Sequence, residues 1–518
     1  MSKAISIFII TILGILFFGL TLRGSLGNFT QINDLKKLER QVGSPFESSH
    51  ERASYVELLR MREANTPVLT EAQRDFAAPD VGFNEGKYYS YFPPGVSTLM
   101  RPFFELGYPF QASLLTSYAS MAVLAILTMI FIYLICRNVF QLPSYAGIAA
   151  AVIYGFATTS WSYSITIFQH APAAFFATIM FYGVSRYRAR VKTSALWASI
   201  VWFTYGISIS FDYPNGLILA PFIVYYLTST LSVWRDEHRL KFNVNAAHLS
   251  VGIWFAIAVA IHLMFNLLYM DSAFSLRQNY DRYDPGLSRM MLEENTKNKV
   301  KPVTTEPLPE AVEQRTRMPF LEEVTISGFV TLLVAPDKGL LFFSPILVFG
   351  LWGLFLGFRR GRAAEHSVIL SFIVLNILIY ASFGDPYGGW AFGPRYLIPT
   401  MAALAIYAGY AFYHLRNPIV KLLFYSAFLF SLSIAAAGAL TSNNVPPQVE
   451  ATPLGRPYYN YLLNFHLIET NQTANFVYNT YLRKHMRLSD FYVLIVFSLG
   501  LFMYVVLFAT PLFNKGKK

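Results

Sequence analysis

Long apolar runs recur through this 518-residue chain near 4–22, 112–135, 144–160, 170–185, 194–211, 213–231, 248–269, 340–357, 367–383, 396–413, 422–440 and 490–510. About twenty apolar residues cross a hydrocarbon core of about 30 Å, so runs of this kind predict helices that span a bilayer. Only 14% of the residues are charged, against about 25% in soluble domains. That charge gathers between the runs. The predicted fold is an all-α polytopic membrane bundle of about twelve transmembrane helices, and a water-soluble enzyme is excluded. The first run has no small-residue cleavage site after it and reads as a retained span. The stretch 324–335 is too brief to cross and reads as interfacial or re-entrant.

Loop charge sets the expected orientation. With the N-terminus inside, the inner loops carry seventeen basic and three acidic residues, a net of +14, and the outer side carries a net of −3. The positive-inside rule then places both termini in the cytoplasm. The formal charge of +11 reflects topology and gives no ground for a nucleic-acid partner. The chain divides into a first span (1–22), a first outer loop (23–111), spans two to seven (112–269), a second outer loop (270–339), spans eight to eleven (340–440), a third outer loop (441–489), and a last span with a basic tail (490–518). The inner loops are too short to fold as a nucleotide-binding domain, so polar chemistry belongs on the outer face. No acidic or basic side chain lies well inside a span, where ion-coupled transporters usually carry one. His262, well inside the seventh run, reads as a hydrogen-bonded packing residue. The single Cys136 excludes an intrachain disulfide and a cysteine metal cluster.

The first outer loop contains SSHERASYVELLRMRE over Ser48–Glu63, with apolar Tyr55, Leu58, Leu59 and Met61. This predicts an amphipathic helix along the outer membrane surface. Asn84-Glu85-Gly86 predicts a turn, followed by a short extended piece from Lys87 to Tyr91. Asp80, Lys87, Tyr88 and Tyr89 are candidates to face a polar substrate, against the plainer reading of an aromatic interfacial belt. Polar groups also mark the mouths of later spans: Trp161 to His170, Asp212-Tyr213-Pro214, and Gly384-Asp385-Pro386-Tyr387-Gly388-Gly389-Trp390 leading to Gly393-Pro394-Arg395-Tyr396. An isolated Tyr or Trp there is usually an anchor. An Arg entering an apolar span needs an anionic partner, and phosphate suits its planar fork. Lys338, in Pro336-Asp337-Lys338-Gly339, offers a second cation at similar depth. Asp281 and Asp284 read as a solvated turn, and 293–317 as a polar lid or linker.

Taken together, YYSYFPPG, the segment ending at His170, DYP at Asp212, PDKGLLFFSP and GGWAFGPRYLIP resemble bacterial GT-C membrane glycosyltransferases. These are relatives of the dolichyl-phosphate-mannose-protein mannosyltransferases and of the lipopolysaccharide-modifying transferases. The resemblance runs from about residue 50 to 400. It implies a GT-C-like bundle and an inverting hexosyl- or pentosyltransferase at the extracytoplasmic face of the cytoplasmic membrane. It further implies a polyprenyl-phosphate-linked sugar as donor and a lipid, glycan or protein as acceptor. Asp80 maps onto the catalytic acid of such enzymes, and Arg395 and Lys338 onto the clamp for the donor phosphate. Lys87, Tyr88, Tyr89, His170, Asp212, Tyr387 and Trp390 fall at candidate substrate-binding positions. Many relatives carry an Asp-Glu pair before the Arg of the first-loop helix; here Ser49-His50-Glu51 precedes Arg52. Asp80 therefore takes the base role first, Glu51 second, and loss of activity third. The chain lacks an Asp-x-Asp motif, so no cofactor is expected, though a divalent metal is not excluded. The alternatives are a flippase or polymerase for lipid-linked glycans, or a catalytically degenerate membrane protein.

Overall fold

The computed structural model describes residues 2–41, 43–236, 239–244, 250–270, 272–283, 312–313, 326–456 and 458–509. Asp284 and most of the proposed lid at 293–317 lie outside them. Among the described residues, six helices are long and apolar enough to cross a membrane: Lys3–Thr21, Ser113–Val139, Ala363–Ala381, Arg395–His414, Pro418–Leu440 and Leu488–Phe508. Shorter apolar helices occupy Ser144–Phe156, Ile253–Tyr269 and Leu347–Phe358. The remaining predicted runs also coincide with helices, at His170–Arg188, Ser194–Ser208 and Ala220–Thr230. His262 packs as anticipated, with Nδ1 3.1 Å from Ser210 Oγ.

At one end, Arg23 bridges to Asn475 through the backbone, pairs with Glu47 at 2.5 Å and donates to the Thr441 carbonyl at 3.2 Å. The first and third outer loops therefore meet. At the other end, Phe140 stacks on His366, His366 Nδ1 lies 2.8 Å from the Tyr407 hydroxyl, and Arg188 donates to the Tyr225 carbonyl at 3.0 Å. These are segments flanking the basic loops.

Two expectations need correction. The fold is helical but not all-α. An antiparallel sheet in the order β2-β1-β5-β6 joins β1 (Val81–Asn84) and β2 (Lys87–Ser90) to the outer-loop strands β5 (Asp281–Tyr283) and β6 (Val312–Glu313). A separate hairpin pairs β3 (Leu231–Asp236) with β4 (Arg239–Val244). The β1–β2 turn is Glu85-Gly86, both with positive φ, the geometry that closes a two-residue hairpin.

The second correction concerns the helix Ser49–Glu63, which is not a surface helix. Tyr55, Leu58 and Leu59 are buried, but so are His50, Glu51 and Glu57. Burying its polar face works because Glu57 meets Arg277 at 2.5 Å, both side chains fully enclosed, and accepts a hydrogen bond from Ser97 at 2.7 Å. An unpaired charge at that depth would cost several kcal/mol.

Candidate active site

A cavity of about 580 Å³ opens where the outer loops converge, lined among others by Ser49, His50, Asp80, Gln169, Asp212, Arg282, Tyr380, Trp390 and Arg395. Each wall comes from a different part of the chain. Ser48 caps the helix Ser49–Glu63 with its side chain while Glu51 returns the bond, a reciprocal capping box. This seats Ser49 and His50 at the cavity edge. Asp80 enters just before β1. Arg395 starts the turn into Ile398–His414.

Asp80 is held on both oxygens. Ser49 Oγ donates to Oδ2 at 2.6 Å and Arg282 Nη2 donates to Oδ1 at 3.3 Å. Arg282 is fixed in turn by donating through Nε to the Pro79 carbonyl at 3.0 Å. The result is an oriented carboxylate that still faces the cavity.

Arg395 has the opposite character. Its guanidinium lies over Phe168 at 5.2 Å and over Tyr396 at 5.4 Å. Its Nε is enclosed without a hydrogen-bond partner, and among the described residues no carboxylate forms an ion pair with it. Gly388, with φ +69°, passes so close that a Cβ there would lie 3.1 Å from Arg395 Nε. A side chain at 388 would therefore be strained and would crowd the guanidinium. An enclosed cation with unspent donors is suited to an anion with several oxygens, such as a phosphate.

Asp212 stands on the same cavity. Tyr380 donates to its Oδ2 at 2.9 Å, and Tyr380 stacks on Tyr396 with ring centroids 4.3 Å apart. Burial pushes Asp212 up to about 6, against the Tyr380 and Gln169 hydrogen bonds and the Arg395 charge. Trp390 also lines the cavity, its indole N–H donating to Glu450 and its face under Arg456 at 5.4 Å.

Several residues singled out from the sequence lie elsewhere. Glu51 is buried, with Oε2 accepting from the backbone N–H groups of Glu47 and Ser48 at 3.0 and 3.3 Å and Oε1 from that of Ile167 at 3.4 Å. Burial pushes it up to about 7, and its oxygens serve the helix cap rather than the cavity. Lys338 is fully buried. Its ammonium donates to the carbonyls of Gly389, Ala391 and Val445, so it sits behind the Arg395 loop, and burial drops it to about 7. Lys87, Tyr88 and Tyr89 belong to β2 and do not line the cavity. Tyr89 donates to the Tyr269 carbonyl at 3.0 Å, and Tyr88 packs on Tyr283 and Arg74. His170 packs edge-on against Tyr396, one layer behind Arg395. Tyr387 lies in the turn ahead of Trp390, half-buried and outside the lining.

The sequence reading missed His50, Gln169, Arg282 and Tyr380. Only Gln169 had a local signal, its place beside His170 at a span mouth. Among the described residues, no group of three or more His, Cys, Asp or Glu could hold a metal ion.

No family model matches the chain, and no curated protein matches its sequence. Among solved structures it is similar to ArnT from Cupriavidus metallidurans in the apo state, at 14% identity and a TM-score of 0.45, covering 98% of this chain and 77% of that one. The same protein bound to undecaprenyl phosphate gives 12% and 0.46, over 98% and 76%. The Archaeoglobus fulgidus oligosaccharyltransferase in the apo form gives 12% and 0.42, over 87% of this chain and 57% of that one. Likenesses this distant assign no residue its role.

Proposed function

We propose that this chain is a GT-C-type membrane glycosyltransferase, a bundle of about twelve spans with both termini cytoplasmic. It transfers a monosaccharide from a polyprenyl phosphate to a lipid, glycan or protein acceptor at the extracytoplasmic face. The observation that carries this reading is the convergence of Asp80 and Arg395 on one cavity, the carboxylate already oriented by Ser49 and Arg282 and the guanidinium in no close ion pair among the described residues, although the charges of Asp212 and Asp385 reach it.

The chemistry follows from those two groups. The acceptor hydroxyl attacks the anomeric carbon as the bond from that carbon to the phosphate oxygen breaks, and the configuration inverts. Asp80 takes the hydroxyl proton, a step that typically contributes about 10²–10⁴-fold. The polyprenyl phosphate departs with the bonding electron pair, and its growing negative charge is met by Arg395, already in place before the reaction. Lys338 acts one layer back, holding the loop that carries Arg395. The polyprenyl tail lies against the apolar helices while the sugar occupies the cavity.

The test is transfer of labelled sugar from polyprenyl-phosphate donors in membranes containing wild type, Asp80→Asn, Glu51→Gln or Arg395→Ala. Loss of turnover in Asp80→Asn and Arg395→Ala with Glu51→Gln active supports the assignment. Normal turnover in Asp80→Asn removes it, and loss in Glu51→Gln alone moves the base role there. Lipid-linked glycan crossing the membrane without any bond transfer would favour a flippase.

A further inference from the structure

The third outer loop ends in Arg483-Lys484-His485-Met486-Arg487, directly ahead of the last apolar helix. The loop lies at the end of the bundle that holds the Asp80–Arg395 cavity. Asn475 bridges to Arg23 through the backbone, and Arg23 pairs with Glu47 of the cavity wall. In the topology proposed this is the extracytoplasmic end, where the positive-inside rule gives no reason for a basic cluster. Elsewhere in the outer loops the cations are matched: Arg52, Arg62, Arg74, Arg277 and Arg282 each pair with a carboxylate. Arg483, Lys484 and Arg487 are exposed, and among the described residues none of them forms an ion pair.

The loop that displays them is well fixed. Tyr478–Leu482 makes one wide helical turn, and the buried Tyr478 donates its hydroxyl to the Met486 carbonyl at 3.1 Å. Asn471 Oδ1 accepts from the Leu488 N–H at 2.8 Å, and Leu488 is itself buried. The three cations thus surround a cavity of about 490 Å³ whose lining holds a single carboxylate, Asp490. Below the loop, the helix Leu488–Tyr504 buries Phe491, Ile495 and Leu499 against the bundle and exposes Leu494, Phe497 and Leu501. Asp490, Leu494, Phe497 and Leu501 follow at steps of four, three and four, so they share one face, with Arg487 three positions ahead of it. A cationic pocket therefore stands at the head of an apolar track, on a helix long and apolar enough to cross a membrane. A free anion would use only the pocket and a neutral lipid only the track. An anionic phospholipid uses both.

We propose that this is a binding site for an anionic phospholipid of the surrounding bilayer. Its phosphate lies among Arg483, Lys484 and Arg487, and an acyl chain runs down Leu494, Phe497 and Leu501. The site shares no lining residue with the Asp80–Arg395 cavity and does not depend on the transferase reading. Each cation at a charged bilayer surface is worth about fivefold in affinity. Three of them against one carboxylate favour anionic over zwitterionic lipid by about tenfold or more.

The experiment places the full-length protein in nanodiscs with a trace of phosphatidylglycerol or phosphatidylcholine that carries a photoreactive group on its acyl chain. Adducts are mapped by peptide mass spectrometry. In the wild type, phosphatidylglycerol should label the segment 488–508 about tenfold more than phosphatidylcholine does. The triple variant Arg483→Gln, Lys484→Gln, Arg487→Gln should lose that preference at unchanged Tm, because the replaced side chains are exposed and form no ion pair. Lys484→Gln alone should lower it about fivefold. Replacing Arg359, Arg360 and Arg362 by Gln at the opposite end should leave it intact. Equal labelling by the two lipids in the wild type overturns the site, as does a preference that survives in the triple variant or disappears in the opposite-end control. Displacement of the photoreactive lipid by inorganic phosphate alone would reveal a free-anion site and overturn the lipid assignment.

Discussion

Arg282 Nη2 lies 3.3 Å from Asp80 Oδ1 across 202 positions of sequence. The second outer loop therefore supplies the group that orients the acid of the first. Arg282→Ala removes this contact but leaves the Ser49 bond at 2.6 Å. Turnover should fall about tenfold while affinity for the donor stays within about twofold, because the lost interaction orients the base and does not hold the phosphate. Steady-state kinetics with a fixed acceptor read this, and an unchanged kcat would count against the orienting role.

Lys338 donates to three backbone carbonyls, and its neighbour Asp337 accepts from the Gln448 N–H at 2.9 Å. Together they tie the Arg395 loop to the segment carrying Glu450. Lys338→Met leaves the carbonyls of Gly389, Ala391 and Val445 without that donor, a loss of about 3 kcal/mol. Tm in detergent should drop and the donor KM should rise, because Arg395 loses its support. A variant with wild-type Tm and raised KM would instead favour direct contact between Lys338 and the phosphate.

The Glu57–Arg277 pair is fully enclosed and joins the helix Ser49–Glu63 to the strand carrying Arg282. Removing one partner strands the other charge, so Glu57→Gln or Arg277→Met alone should cost about 3–5 kcal/mol. The double replacement should cost less than either single change. Thermal unfolding of the three variants decides it, and strictly additive losses would contradict coupling.

Asp212 gives a pH dependence whose sign follows from its shift. Burial raises it from 3.8 to about 6, so the native state holds the proton more tightly than the unfolded chain. The associated stability is present in full below pH 3.8 and is lost as pH rises through about 6, on the order of 3 kcal/mol for a shift of that size. Asp212→Asn keeps an acceptor for Tyr380 and has no charge to bury. The Tm of the variant relative to wild type should therefore climb between pH 4 and pH 7.5, and a flat difference would contradict the buried-carboxylate account.

The parts of this molecule that read well from sequence are those fixed by local pattern. Apolar runs announced the helices, because a bilayer demands length and hydropathy that no partner can supply. Arg395 stood out because a cation at the mouth of an apolar span needs an anion. Glu51 is instructive in reverse: Ser48-x-x-Glu51 is a capping-box spacing, and that local rule accounts for its burial better than a catalytic role does. The remainder depended on distant partners. The helix Ser49–Glu63 looked like a membrane-surface helix because Arg277, the partner that lets Glu57 be buried, follows 220 positions later. Lys338 looked like a phosphate ligand because backbone carbonyls leave no mark in a sequence.

The central claim is that Asp80 and Arg395 act on one substrate in one cavity, and a double-mutant cycle on sugar transfer tests it most directly. Turnover of labelled polyprenyl-phosphate sugar would be measured for wild type, Asp80→Asn, Arg395→Ala and the double variant. The account predicts losses of at least about 10²-fold for each single change, with the double variant losing far less than their product because both serve the same bond-breaking step. Independent, multiplicative losses, or wild-type turnover in either single variant, would contradict it.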